Sequence, residues 1–82
     1  MSEQPPRLFV SFPEALVERP MIYEIVKQFD VVPNLRRANV EAHSGWMILE
    51  LAGEADARAA AIAYLESLGC TVNRMEGDVV AG

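Results

Sequence analysis

The 82-residue sequence is poor in cysteine and in basic residues. It has one cysteine, Cys70, and seven lysines and arginines against twelve aspartates and glutamates, for a formal net charge of −5. One thiol excludes an intrachain disulfide, a cysteine-ligated zinc site and an iron–sulfur cluster built from one chain. Because phosphate binding requires clustered cations, the acidic balance argues against nucleic acid. We expect no cofactor, no metal and no nucleic-acid partner.

Long apolar runs and catalytic motifs are also missing. The longest mostly apolar stretch, residues 59–65, has seven residues, whereas about 20 are needed to span a bilayer. Residues 1–6 are polar and proline-bearing, unlike a signal peptide. We therefore expect a cytoplasmic protein without membrane insertion. Since the chain has neither a serine elbow nor a glycine-rich phosphate loop, we predict that it is not an enzyme.

The first third of the chain predicts a strand followed by a helix. Residues 7–12 alternate and lie between prolines, as strands often do. A helix over residues 20–29 is predicted by apolar residues at helical spacing, namely Ile22, Ile25, Val26 and Phe29. Pro33 disfavours helical geometry at the residue before it. We expect it to close the connection to a strand that begins at residue 35.

The middle of the chain predicts a hairpin. Residues 35–42 and 46–52 form its strands, and residues 43–45 form a turn in which Gly45 is able to take a positive φ. Alternation places Trp46 and Ile48 on the face opposite to the more apolar one. If the apolar face packs on helices, Trp46 and Ile48 are exposed, as at an interface or a ligand floor.

The remaining residues predict a second helix, ended by Gly69, and a strand over residues 71–75. The order strand, helix, strand, strand, helix, strand predicts an α+β fold of the ferredoxin-like type. This is a two-layer sandwich with a four-stranded antiparallel sheet and two helices on one face. We assign residues 7–76 to this domain, residues 1–6 to a disordered tail and residues 77–82 to a C-terminal tail.

Several segments, in this order, resemble the NIL domain. They are residues 29–35 (FDVVPNL), Ala38, the strand around residues 46–51 and residues 61–65 (AIAYL). The NIL domain is a small regulatory module found at the C-terminus of methionine-import ABC transporter ATPases and also fused to bacterial-type ferredoxins. The resemblance covers roughly residues 8–75. The sequence contains neither a Walker phosphate loop nor the cysteines of a cluster.

The resemblance implies an ACT-like homodimer that, in the transporter subset, binds methionine. The Asn-Ile-Leu signature of the family falls on Asn34, Leu35 and Arg36, where Arg36 replaces an aliphatic residue. We predict ligand contacts from four residues of this region, Asn34, Leu35, Arg37 and Asn39. We predict an interface role for Trp46 and Ile48.

The residues themselves leave simpler alternatives open. An asparagine near a turn most often bonds the neighbouring backbone, and an arginine on a strand is most often solvated or ion-paired. On a regular strand Arg36 and Arg37 point to opposite faces, so they cannot both bind one carboxylate, and Arg37 shares its face with Leu35 and Asn39. Cys70 is expected to be a packed residue and not a reactive thiol.

Two functions follow from these expectations. The first is a non-catalytic sensor that binds methionine or a related sulfur amino acid at a dimer interface. The second is an adaptor that binds no small molecule and serves a separately encoded transporter, ferredoxin-type or sulfur-metabolism protein. A partner protein seated on the open sheet face would distinguish the second function from the first.

Overall fold

The computed structural model describes residues 6–75. The two predicted tails therefore fall almost entirely outside the described residues. The elements, in chain order, are β1 (Arg7–Pro13), a short 3-10 turn (Glu14–Leu16), α1 (Met21–Phe29), β2 (Val32–Val40), β3 (Ser44–Ala52), α2 (Ala55–Leu68) and β4 (Thr71–Arg74).

The four strands form one antiparallel sheet in the order β2-β3-β1-β4. Side chains from one face of this sheet share a single core with both helices. The predicted ferredoxin-like α+β sandwich is therefore confirmed. Neither helix of the described residues has the length and hydropathy needed to cross a bilayer.

The core lies between the central strands and the helices. The central strands β1 and β3 supply fully buried leucines at Leu8, Leu49 and Leu51, and the helices supply Ile25 and Leu65. In α2 the small, fully buried Ala61 allows the helix to approach the sheet closely. Each helix ends in a left-handed residue, Asp30 with φ 59° after α1 and Gly69 with φ 116° after α2, so the predicted role of Gly69 is confirmed.

Pro33 lies inside β2, contrary to the prediction that it precedes the strand. The strand begins at Val32 and ends at Val40, and Pro33 pairs with Leu51 of β3. Proline has no backbone N–H to donate to a neighbouring strand. In a central strand every N–H faces a neighbour, but β2 is an edge strand with a neighbour on one side only. Its position at the sheet edge therefore makes the proline tolerable.

Gly45 is also placed differently from the prediction. It is a buried residue of β3 paired with Phe12. Its φ is not positive, unlike the φ of Gly53 and of Gly69. A Cβ added to Gly45 would lie 2.6 Å from two ring carbons of Phe12 and 3.1 Å from the carbonyl oxygen of Asn39. Glycine is needed here for close packing and not for a turn.

We expect Gly45→Ala to lower the free energy of unfolding by about 1 to 3 kcal/mol, because the buried Phe12 ring must move away from the new methyl group. Urea denaturation of the variant and the wild-type chain measures the loss. Repeating the substitution in a Phe12→Leu background removes the clashing ring atoms, so the cost of Gly45→Ala should fall there. An equal cost in both backgrounds would show that the ring is not the obstacle.

Candidate functional site

The candidate site lies on the sheet face that the helices leave uncovered, which we call the open face. Pairing places Phe9 opposite Ile48, and Ser11 opposite Trp46, at the centre of this face. The rings of Phe9 and Trp46 stack with centroids 5.5 Å apart and an interplanar angle of 18°. Trp46 and Ile48 are half-buried, and not exposed as predicted, because neighbouring side chains on the sheet shield one another.

A β-bulge at Arg36 changes which side chains of β2 reach the open face. Leu35 pairs with Leu49, and the next pair along the strand joins Arg37 to Ile48, so Arg36 is an extra residue. Two residues then oppose one, and both arginines project on the side of Ile48. The prediction that Arg36 and Arg37 point to opposite faces is therefore wrong.

Glu50 is the centre of a charged cluster on the open face. Its Oε2 atom accepts a hydrogen bond from Arg7 Nη2 at 3.0 Å, and its Oε1 atom lies 3.9 Å from Arg36 Nη1. Asn34 lies directly opposite Glu50 across the strand pair. The Glu50 side chain is only 15% exposed, so this carboxylate is held by its neighbours within the sheet surface.

The surroundings of Glu50 favour its ionised form. The hydrogen bond from Arg7 lowers the pKa of the Glu50 carboxyl below its usual value of 4.5, and this effect exceeds the opposing effect of burial. The charge of Arg36 and a smaller contribution from the Asn34 side chain act in the same direction as Arg7. Glu50 is therefore a carboxylate at neutral pH.

The structure brings together only two of the four predicted ligand residues. Asn34 and Arg37 lie at the Glu50 end of the open face. Asn39 pairs with Trp46 near the other end, and its Nδ2 atom donates to Glu41 Oε2 at 3.2 Å. Leu35 points to the helix side, where it is 54% exposed because β2 lies beyond the area that the helices cover.

The prediction missed Arg7 and Glu50. Alternation within each strand was enough to place Arg7 beside Phe9 and Glu50 beside Ile48 on a common face. Their contact, however, depends on the register that pairs Arg7 with Glu50 across 43 residues of sequence. A period-2 pattern carries no information about that register.

An open groove of about 430 Å³ lies at the opposite end of the sheet from Glu50. Its lining is aromatic, small and hydroxyl-bearing: Phe9, Ser11, Phe12, Pro13, Ser44, Gly45, Trp46, Gly69 and Thr71. Trp46 alone among the predicted site residues contributes to this lining. The groove, at one end of the sheet, and the Glu50 cluster are therefore separate features.

The other reactive side chains do not form a site within the described residues. Cys70 is buried with its Sγ atom 3.5 Å from Met21 Sδ, and burial raises the pKa of its thiol. It is thus a packed residue. His43 Nδ1 lies 3.3 Å from Glu14 Oε1, and both side chains are well exposed. Residues 6–75 contain no group of three or more His, Cys, Asp or Glu placed to hold a metal ion.

A family model described as the NIL domain matches residues 6–74. The chain belongs to the NIL domain family. This NIL domain also resembles a solved structure described as the C-terminal domain of an ABC transporter ATP-binding protein from Enterococcus faecalis, with 20% identity and a TM-score of 0.78. The match covers 92% of this chain and 88% of that chain, and it shows a shared fold. No curated protein matches the sequence.

We expect Glu50→Gln to lower the stability of this NIL domain at pH 7 and to do so less as the pH falls. A carboxyl whose folded-state pKa is lowered contributes stability above its unfolded pKa and loses it as the pH falls through the folded value. Urea unfolding of both proteins at pH 7 and at pH 3 measures the difference.

Glu66→Gln, on the exposed side of α2, is the matched control and should have little effect at either pH. The Glu50→Gln difference at pH 7 should exceed that of the control. An unchanged Glu50→Gln difference between the two pH values would mean that ion pairing does not account for it.

Proposed function

We propose that this NIL domain is a non-catalytic regulatory module that binds methionine or a related sulfur amino acid on its open face, within a dimer. The observation that carries the proposal is the position of Asn34, the signature asparagine, directly opposite the carboxylate of Glu50. An amide and a carboxylate side by side can accept the α-ammonium group of an amino acid. Phe9 and Ile48, next along the strands, offer apolar surface for its side chain.

The proposed regulation is a difference in affinity between states. A ligand that binds one conformation or the dimer more tightly shifts the population toward it, by that difference in binding free energy. Equal binding to both states would transmit nothing. The shared fold with the C-terminal domain of an ABC transporter ATP-binding protein supports a transporter ATPase as the protein that responds.

The β2 edge supports the proposed dimer. Two large apolar side chains on its helix side, Leu35 and Val40, are 54% and 57% exposed. One side of β2 has no neighbouring strand within the described residues. An exposed apolar edge strand is a ready template for a second chain. The interface roles predicted for Trp46 and Ile48 stay predictions, in addition to the proposed role of the β2 edge.

The second candidate function is the adaptor without a small-molecule ligand. The stacked Phe9 and Trp46 rings beside the open groove favour it, because aromatic side chains are enriched in protein interfaces. In that case a transporter or ferredoxin-type protein would occupy the open face. The two functions differ in whether an amino acid alone binds.

Calorimetric titration with L-methionine tests the sensor. We expect saturable binding to the wild-type protein, weaker binding of homocysteine and none of L-serine, which lacks the apolar side chain. Asn34→Ala should weaken methionine binding about tenfold, because it removes hydrogen bonds to a charged group. Light scattering on the same samples measures whether the protein is a dimer.

Asn73→Ala is the matched control for Asn34→Ala. Asn73 lies on β4 and pairs with Phe9 of β1, so it occupies the same face as Asn34 at the opposite edge of the sheet. Three strand spacings, about 14 Å, separate β4 from β2. Its loss should leave methionine affinity within twofold. A wild-type protein that gives no heat with any of the three amino acids would reject the sensor and leave the adaptor.

A further inference from the structure

We infer that Arg36 and Arg37 together form a carboxylate-binding site on the open face, supported by Arg7. The inference rests on the proposed function in taking the bound group to be the α-carboxylate of a small amino acid.

The bulge is what makes the site possible. In a regular strand consecutive side chains alternate between faces, and only one of the two arginines would reach the open face. Because Arg36 is the extra residue between the Leu35 and Arg37 pairs, both arginines oppose Ile48. Two planar guanidinium groups thus emerge from adjacent residues on one side of the sheet.

The charge of the cluster leaves it free to take an anion. Arg7, Arg36 and Arg37 contribute three positive charges and Glu50 one negative charge, a formal sum of +2 in a chain of net charge −5. Arg7 is hydrogen-bonded to Glu50 at 3.0 Å, whereas the 3.9 Å separation of Arg36 is too long for a hydrogen bond.

Arg37 has no carboxylate of residues 6–75 within 4.0 Å. Glu41, the acid that follows on β2's C-terminal side, lies four residues further, about 13 Å along an extended chain, and contacts Asn39 instead. In the described part of the chain Arg37 is therefore without a nearby acid, and Arg36 lies close to Glu50 without a hydrogen bond to it.

The chemistry of the cluster selects a carboxylate. A guanidinium presents paired N–H donors in a plane that matches the two oxygens of a carboxylate. Glu50 stands beside the arginines and attracts an ammonium group. An arginine pair next to a glutamate therefore complements the two charged ends of an amino acid.

The first test compares L-methionine with L-methioninol, in which a hydroxymethyl group replaces the carboxylate. Wild-type protein should bind methioninol about tenfold more weakly than methionine, as expected for the loss of a charge-assisted contact. Arg37→Gln should weaken methionine by a similar factor and leave methioninol unchanged. Arg37→Lys, which keeps the charge but loses the paired donors, should fall between the two.

Two further variants locate the effect. Deletion of Arg36 makes the Leu35–Leu49 and Arg37–Ile48 pairs consecutive, which removes the bulge and one guanidinium while keeping the other pairings. It should weaken methionine as Arg37→Gln does. Arg74→Gln removes the same charge from an exposed residue that pairs with Leu8 on the helix side, and it should leave affinity within twofold.

Titration with succinate separates this inference from the proposed function, because succinate carries carboxylates but neither an amine nor sulfur. Saturable succinate binding that is lost in Arg37→Gln, without methionine binding, would uphold the carboxylate site and reject the methionine sensor. Methionine binding that is unchanged in Arg37→Gln would overturn the carboxylate site and keep the sensor. No binding of either ligand would overturn both.

Discussion

One-sided packing of the sheet is the constraint on which the rest of the structure depends. The helix-facing side chains of β1 and β3, among them Leu8, Leu49 and Leu51, are fully buried against Ile25 and Leu65 of the helices. A chain this short has few other means of removing apolar surface from water. Because both helices cover this side, the side chains of the opposite face can be shielded from water only by one another. On this opposite face the Phe9 and Trp46 rings stack on each other, and the charged residues Arg7 and Glu50 lie at one end of the face.

The edge strand β2 contains two irregular features that a central strand would not tolerate. It contains a proline that forgoes an N–H donor, and a bulge that interrupts the pairing with β3. Both features are compatible with a strand that has a partner on one side only, whereas every backbone N–H of β1 or β3 faces a neighbouring strand. Asn34, Arg36 and Arg37 of the candidate site lie on this strand, where the fold is least restrictive.

The positions of the charged residues bear more on ligand binding than the net charge of the chain does. The acidic total of −5 hides three arginines on the open face, of which Arg7 and Arg36 are paired with Glu50 and Arg37 lies opposite Ile48. Arg7 is far in sequence from the adjacent pair Arg36 and Arg37, and the pairing of β1, β3 and β2 brings all three to one face. The hydrogen bond from Arg7 lowers the pKa of Glu50 and keeps a negative charge beside them. A surface with both signs of charge at one end and aromatic rings at the other suits a ligand that is polar at one end only.

The sequence by itself determined the order of the elements, the ferredoxin-like architecture and the end of α2, because these depend on periodicity and on a C′ glycine at Gly69. It also identified the NIL domain family. Only the tertiary structure decided that Pro33 lies within an edge strand, that Gly45 is required by the Phe12 ring, and that Arg36 is a bulge residue. Each of these depends on strand order or register. The reason is physical: alternation records which residues share a face within one strand, but the pairing of that strand with its neighbours is set by packing between segments far apart in the chain.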